Sequence, residues 1–272
     1  MPSEKKNAYV SMICGGDAYV PGVEALGRSL AATRTPHPKV LLVTADVSQD
    51  ARARLAGQGW LIREVEGIPN PHPEKGLLFA RFGNVFTKLQ AWNLTEFDKL
   101  VFLDADTIAL QNVDELFERP SFAAGPDYFV PDRFNSGVMV LDPSTATYEA
   151  MRTALRGSAS YDGGDQGFLN EFFADWYAMP IANRLPPGYN MHHFILQFLI
   201  SHPSLKSMAK EAKIIHYTLQ KPWMTPTLAG GSELWWRFYY GVHPEAEHLW
   251  NRPVHALEDW SFDRLITALT HG

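Results

Sequence analysis

Short apolar runs alternate with stretches of helical spacing through the first half of the chain. This alternation restricts the fold more than any other feature, because it is the pattern of a mainly parallel β-sheet joined by crossover helices. Ala8 to Cys14 reads as a first strand, after which Gly15, Gly16 and Asp17 turn the chain into a segment with Val23, Leu26 and Leu30 at helical spacing. Pro21 suits the first turn of that helix. Lys39 to Thr44 predicts a second strand, Ser48 an N-cap for a helix through Leu55, and Trp60 to Val65 a third strand. Pro69, Pro71 and Pro73 enforce a loop, Val85, Leu89 and Trp92 predict a helix between Phe82 and Leu94, and Lys99 to Leu103 is a fourth strand, apolar on both faces. After Asp106 the pattern loosens to a turn and strand at Phe134 to Asp142, helices over Thr145 to Leu155 and Asp165 to Phe173, and a short strand at Lys213 to Tyr217.

Composition narrows the class. With 272 residues, 46% hydrophobic and 20% charged, the chain can bury a full core and is neither disordered nor fibrous. Its 24 Lys and Arg against 30 Asp and Glu give a net charge of -6, so nothing global attracts nucleic acid or an anionic membrane, and an anionic ligand must be held locally. The single cysteine, Cys14, excludes an internal disulfide and a Cys-based zinc site, and fits a reducing compartment. No apolar run approaches a membrane span, and Met1 to Asn7 does not open a signal-peptide pattern, so the expectation is a soluble, cytoplasmic protein. Without repeats or a flexible linker, one α/β domain over residues 7–225 is expected, followed by an aromatic and helical C-terminal extension, 226–272, packed on it. Trp235, Trp236, Phe238, Tyr239 and Tyr240 in that extension read as core packing rather than a sugar platform.

The most pointed chemistry lies where the fourth strand ends, in Lys99-Leu-Val-Phe-Leu-Asp104-Ala-Asp106-Thr107. Ligands of open α/β sheets bind at the carboxyl ends of strands. A period of two puts Asp104 and Asp106 on one side of the chain, where two carboxylates repel unless a cation or a proton lies between them. Oxygen ligands favour Mg or Mn, and capping of the next turn is the structural alternative. Tyr161-Asp162-Gly-Gly-Asp165-Gln166-Gly167 opens a predicted helix, with glycines that permit close backbone approach and with Asp165 and Gln166 suited to sugar hydroxyls. N-capping by Asp162 or Asp165 is the alternative there. Ile214-Ile215-His216-Tyr217 ends a strand at a histidine able to complete a metal site, and Lys221 in Lys221-Pro-Trp223 offers a point charge for phosphate. Arg81 and Lys88 are two further cations on or near one predicted helix, whereas His192 and His193 read as structural. Together these groups make what a sugar nucleotide needs, because its leaving diphosphate gains negative charge as the glycosidic bond breaks.

At this point the chain resembles glycosyltransferase family eight, the group that contains glycogenin and galactinol synthase, from Ala8 to Trp223. The likeness rests on an ordered series: Asp17-Ala-Tyr19, Phe86-Thr-Lys88-Leu, Phe102-Leu-Asp104-Ala-Asp106-Thr, Phe134-Asn135-Ser136-Gly137-Val, Asp162-Gly-Gly-Asp165-Gln166-Gly, Leu185-Pro with Tyr189-Asn190, then His216 and Lys221-Pro-Trp223. The resemblance implies a GT-A fold, a Rossmann-like nucleotide-diphospho-sugar transferase, and a retaining hexosyltransferase that uses a UDP-sugar, glucose or galactose, with Mn(II) or with Mg(II) as a substitute. It implies that Asp104, Asp106 and His216 ligate the metal, that Lys221 contacts the diphosphate, and that Tyr19, Cys14 and the backbone of Ala105 lie against the nucleotide. Lys88, Asn135, Ser136, Asp162, Asp165 and Gln166 would surround the donor sugar, with Asp165, Asp162 and Lys88 as the catalytic group. Arg81 lies near, but not at, the place of a nucleotide-binding arginine. Family members are often dimers, so a homodimer is a further implication.

Two departures refine that expectation. Members that glucosylate themselves do so on a tyrosine after the Tyr-Asn pair, but Met191 to Ser207 contains no Tyr, so the acceptor is expected to be a separate hydroxyl: a polyol, a sugar, a glucan or a lipid headgroup. Leu219 and Gln220 fill a gap before Lys221 that is longer and carries a glycine in glycogenin-like chains. Leu100-Val-Phe-Leu-Asp104-Ala-Asp106-Thr107 also fits the haloacid dehalogenase signature of a phosphatase, in which the first Asp accepts a phosphoryl group. That signature normally lies near the start of a chain. The remaining alternative is a glycan- or sugar-nucleotide-binding module on a catalytically dead scaffold.

Overall fold

The computed structural model describes residues 6–71, 84–158, 160–224 and 232–241. The chain divides into two compact units. The first takes Met1–Val20, Pro36–Ala105 and Asp114–Pro186, and the second takes Pro21–Thr35, Asp106–Val113 and Pro187–Gly272.

In chain order the first strands and helices are β1 (Asn7–Ile13), α1 (Val20–Ala32), β2 (Lys39–Val43), α2 (Gln49–Gly57), β3 (Trp60–Glu64), β4 (Lys99–Leu103) and β5 (Thr107–Ala109). β6 (Ala123–Pro126), β7 (Phe134–Leu141), α3 (Thr145–Leu155), α4 (Asp165–Phe172), β8 (Met191–His192), α5 (His193–Ser201), α6 (Lys206–Ala209), β9 (Ile214–His216) and α7 (Ser232–Tyr239) follow.

The first unit holds a six-stranded sheet in the order β3-β2-β1-β4-β7-β6. β3, β2, β1 and β4 run parallel, as the alternation predicts, and β7 turns the sheet antiparallel, pairing Leu103 with Val138. All five residues of β2 are buried, as befits a strand covered on both faces. Its apolar core includes Val10, Leu42, Trp92, Phe102, Phe134, Met139 and Phe168, all nearly inaccessible to solvent. The Ser48 N-cap appears where the sequence places it, its hydroxyl accepting from Ala51 N, and the structure adds a second cap at Ser144, whose hydroxyl accepts from Thr147 N. One expectation changes in kind, because Val85–Asn93 is a 3₁₀ run rather than an α-helix. Every residue from Phe86 to Trp92 is buried, so tertiary packing from all sides, not one amphipathic face, dictates the winding.

The position of β4 matters most for chemistry. It runs parallel to β1 on one side and antiparallel to β7 on the other, and the ladder to β7 continues past Leu103, where Asp104 N donates to Gly137 O at 2.8 Å. The C-terminal end of β4 therefore lies beside the start of β7, and Asn135 and Ser136 arrive next to Asp104.

The second unit is built on a three-stranded sheet, β5-β9-β8. β9 pairs antiparallel with β5, Thr107 opposite His216, and parallel with β8, His192 opposite His216. Leu110 N donates to Lys213 O, and Tyr217 N to Asp106 O, so the β5–β9 ladder extends at both ends. Within α7, Trp235, Trp236 and Phe238 are buried, in keeping with core packing, while Tyr240 is exposed. Trp235 stacks on Tyr239 and lies against Trp223, and the Arg28 guanidinium sits 5.5 Å over the Tyr239 ring. Of the extension 226–272, residues 226–231 and 242–272 lie outside the described residues.

Gly188 closes the turn that leads into β8. Its carbonyl accepts from Lys213 N at 2.7 Å, and a Cβ there would meet the Glu211 carbonyl oxygen at 2.0 Å. Backbone cannot yield as a side chain can, so Gly188→Ala should destabilise the protein by about 2 kcal/mol or more. Urea unfolding of the two proteins measures this, and equal midpoints would contradict it.

Candidate active site

Within the first unit, one ammonium organises the polar groups. Lys88, from the buried 3₁₀ run, places Nζ 2.9 Å from Asp104 Oδ1 and 2.6 Å from Asp165 Oδ2, with Ser136 Oγ at 3.2 Å. It also lies 5.3 Å over the Phe102 ring. Burial on its own would lower the Lys88 pKa, but the carboxylates of Asp104 and then Asp165 outweigh it and hold the group above its ordinary value, so it stays charged. Ser136 Oγ donates to the same Asp165 oxygen at 2.8 Å. Strand end, β7 start and α4 start thus meet at a single cation.

Asp162 and Asp165, two acids of one motif, do different work. Asp162 Oδ1 accepts from Ser160 Oγ, Gly164 N and Gly167 N, each at 2.9 Å, so this carboxylate ties its own loop. Burial raises its pKa despite those bonds. A Cβ on Gly167 would lie 2.4 Å from that oxygen, which explains the last glycine of the motif. Asp162 therefore satisfies N–H groups around the start of α4, whereas Asp165 lies on the buried ammonium. Gln166, next along α4, accepts at Oε1 from Asn135 Nδ2 at 2.9 Å and from Ser136 N at 3.3 Å. Its Nε2 donates to Asp127 Oδ2 at 2.8 Å and to Tyr161 OH at 3.3 Å.

The second unit contributes Asp106, His216 and Lys221, all buried. Asp106 Oδ1 is 3.2 Å from His216 Nε2, and its Oδ2 accepts from Lys221 Nζ, which also donates to Tyr217 O at 2.9 Å. Burial alone would raise the Asp106 carboxyl, but Lys221 and then His216 hold it well below the usual carboxylate range. His216 Nδ1 lies 2.9 Å from Asn190 Oδ1. Leu219, between Tyr217 and Lys221, adopts a left-handed φ of 65°, a conformation that residues with a Cβ seldom take.

Asp104 and Asp106 are separated by Ala105 alone, so local chain geometry brings them together. Asp104, Asp106 and His216 each offer a ligand atom within 4.8 Å of the others. Two carboxylates and an imidazole form a donor set suited to a divalent cation such as Mn or Mg.

The remaining sequence candidates fall into place unevenly. Cys14 follows β1, half-buried, with Sγ 3.5 Å from Asn84 O, and burial first, then Asp46, push its thiol up to about 11. Tyr19 ends a 3₁₀ turn over Asp17–Tyr19, half-buried, and Ala105 is buried. Arg81 lies outside the described residues. His192 is buried with its ring 5.4 Å from that of His216, and burial and then His216 push it down to about 3, so it stays neutral. Asp127 was invisible in the sequence, a single acid after a proline with no motif around it. Asn190 was visible only as half of a Tyr-Asn pair, without a role.

Two outcomes are expected. Lys88→Met leaves the Asp104 and Asp165 carboxylates facing each other without their shared cation, which should cost about 3 kcal/mol or more. Urea unfolding across pH reads this, and the deficit should shrink as the pH falls and the carboxylates take up protons. Cys14 should alkylate slowly at pH 8, because with a pKa of about 11 only about a thousandth of the thiol is ionised there. Its iodoacetamide rate should still be climbing above pH 9, and a plateau near pH 9 would contradict the burial argument.

Comparison with known proteins adds kinship to this geometry. The model of glycosyl transferase family 8 matches residues 119–226, and one described as a mannosyltransferase model covers residues 70–152. Glycogenin-1 of Oryctolagus cuniculus is 39% identical over 210 residues, covering 76% of this chain and 62% of that protein. Inositol phosphorylceramide glucuronosyltransferase 1 of Arabidopsis thaliana is 34% identical over 242 residues, covering 80% of this chain and 42% of that protein. This chain thus spans about three fifths of the length of the glycogenin it matches. Among solved structures, the glycosyltransferase GlyE of Streptococcus pneumoniae TIGR4 superposes with a TM-score of 0.62 at 21% identity, covering 90% of this chain and 63% of that one. At that identity the likeness establishes the fold, an α/β architecture of the GT-A kind. Common fold and sequence kinship along most of the described chain agree, and the chain belongs to glycosyltransferase family 8.

Proposed function

We propose that the chain is a UDP-sugar-dependent glycosyltransferase that moves a neutral hexosyl group, glucose or galactose, to a separate acceptor hydroxyl with retention of configuration and with Mn(II) as cofactor. The observation that carries this reading is the cluster of Asp104, Asp106 and His216 in a member of this family. Asp106 Oδ1 and His216 Nε2 face one another at 3.2 Å, and Asn190 Oδ1 lies 2.9 Å from the far ring nitrogen. Carboxylate oxygens and an imidazole nitrogen are the donor set a divalent cation accepts, so the residues fit the metal. A divalent ion held by this trio would neutralise charge on the departing diphosphate.

The chain's own residues supply the rest. Lys221 offers a second positive charge to the diphosphate, while Tyr19, Cys14 and the Ala105 backbone line the nucleotide; a protonated Cys14 serves there as a small apolar surface. Asn135, Ser136, Gln166 and Asp165 hold donor hydroxyls, and Lys88 and Asp162 fix that set in place. Lys88 and Ser136 both donate to Asp165 Oδ2, which weakens it as a nucleophile and suits it to stabilise positive charge on the sugar carbon. This favours attack by the acceptor on the face the leaving group departs from, over a covalent sugar on Asp165.

Asp127, Asp162 and Asp165 border the Gln166 network, and Lys88 is already bonded to two acids, so the carboxylate of a uronic acid donor would meet repulsion. The helix α5 follows the Tyr-Asn pair and has no tyrosine, which supports an external acceptor over self-glucosylation. We assign the transferase domain to residues 7–225 and an accessory role to 226–272, and place the protein in the cytoplasm on the evidence of its lone cysteine. The phosphatase and binding-module alternatives draw no support from this kinship or from a full set of acids, His and Lys.

Thermal unfolding with UDP, with and without Mn(II), tests the site. Ligand at a hundred times its dissociation constant stabilises a fold by about 2.7 kcal/mol, enough for a rise of several degrees. The rise should require both components and disappear in Asp104→Asn. A rise with UDP alone would remove the metal from the reading. In a donor panel UDP-glucose or UDP-galactose should be consumed and UDP-glucuronate should not, with an α-linked product by NMR. Turnover of the glucuronate donor would overturn the neutral-hexose assignment.

A further inference from the structure

We infer that Asn70 is a positioning residue for Asp165, the working end of a short strap, residues 66–70, that ties the Asp162–Asp165 loop to the run carrying Lys88; the inference rests on the role proposed above for Asp165. The strap meets that run at two points, with Gln90 Nε2 donating to Glu66 O at 3.0 Å and Ile68 N donating to Thr87 Oγ1 at 2.9 Å. The Ile68 side chain is anchored in the core. Two residues further on, Asn70 Nδ2 donates to Gly163 O at 2.9 Å, across 93 positions of sequence. The strap is stiff between these bonds. Pro69 and Pro71 each fix their own φ, and Ile68 and Asn70, each preceding a proline, are confined to extended backbone.

What the strap holds is the peptide unit between Gly163 and Gly164. Its carbonyl accepts from Asn70, and its N–H, on Gly164, donates to Asp162 Oδ1 at 2.9 Å, so both polar ends of one planar group are fixed. Asp165 follows directly as the first residue of α4. With that plane set, few backbone torsions remain to carry the Asp165 carboxylate away from Lys88, whose Nζ is 2.6 Å from Oδ2. The strap also grips Thr87 and Gln90, which flank Lys88 in sequence, so both charged partners are referred to one stiff piece of chain. Without the Asn70 donor the Gly163 carbonyl is free to turn, and Asp165 shifts relative to the sugar carbon whose charge it stabilises. A misplacement of about 1 Å in a reacting geometry can cost on the order of 100-fold in rate.

Asn70→Asp keeps the shape of the side chain but replaces the donor with an oxygen, and Asn70→Ala removes it. In both, amide hydrogen exchange at Gly164 and Gly167, the two backbone N–H groups on Asp162, should quicken about 2- to 10-fold, the share of one hydrogen bond, while exchange in β1 and β4 stays native. UDP release from UDP-glucose and UDP-galactose with Mn(II), water serving as acceptor, should fall about 10- to 100-fold in kcat, with the donor KM and the thermal shift by UDP and Mn(II) unchanged. Asn70→Gln keeps an N–H donor and should recover most of that turnover. Ser144→Ala, which removes the cap of α3, controls for stability: it should lower the urea midpoint and leave kcat native. Native exchange at Gly164 and Gly167 in both the aspartate and alanine variants overturns the hold of Asn70 on the loop. Native kcat in both, or a raised KM in place of a lowered kcat, overturns its positioning of Asp165. If the native chain releases UDP from neither donor, the proposed function fails instead, and the exchange rates still decide whether Asn70 holds the loop.

Discussion

Two acids at the end of a buried strand cannot both stay ionised without compensation, and the first of the pair, Asp104, is compensated by Lys88. That lysine bridges Asp104 and Asp165 from inside the fold, with Ser136 completing its surroundings. The second acid, Asp106, is compensated separately by Lys221. Each carboxylate of the Asp-Ala-Asp element therefore faces an ammonium, which favours its charged form. A charged ligand arriving there would meet groups already paired and placed rather than assembled on arrival.

The path from sequence to that arrangement runs through topology. β4 lies at the change from parallel to antiparallel pairing, so the end of a strand and the beginning of its neighbour β7 share one edge. The Lys88 run, buried from Phe86 to Trp92, reaches the same edge. The α4 helix begins at Asp165, whose carboxylate meets Lys88 directly, and Gln166 beside it links Asn135 and Ser136 to Asp127. A helix start, a strand start and a strand end are each weak signals alone; their convergence gives the chemistry its specificity.

Much of this could be read from the residues. The β1 to β4 strands, the Ser48 cap and the Asp-Ala-Asp strand end follow from local patterns of apolar spacing and turn chemistry, and the order of motifs pointed to the family. Long-range properties escaped. Val85–Asn93 winds as 3₁₀ with Phe86 to Trp92 all buried, which spacing within the segment cannot report. The separate duties of Asp162 and Asp165 depend on Ser160, Gly164 and Gly167 closing a loop around one of them and on Lys88, distant in sequence, reaching the other. Asp127 gains significance only when the chain leaving β6 delivers it to Gln166, and Asn190 only when the β8–β9 register sets it beside His216.

The burial of Lys88 has a consequence for how the protein meets its surroundings. The Lys88 side chain is 3% exposed, whereas the acid of the Arg52–Glu64 pair is 58% exposed. Mobile ions screen exposed charges over about 8–10 Å at physiological ionic strength but reach buried pairs much less. Surface pairs of the second kind will fade in concentrated salt while the Lys88 bridge persists. The electrostatic character of the candidate centre therefore belongs to the fold and not to the buffer, so a change in ionic strength should leave it intact up to the point where the fold itself gives way.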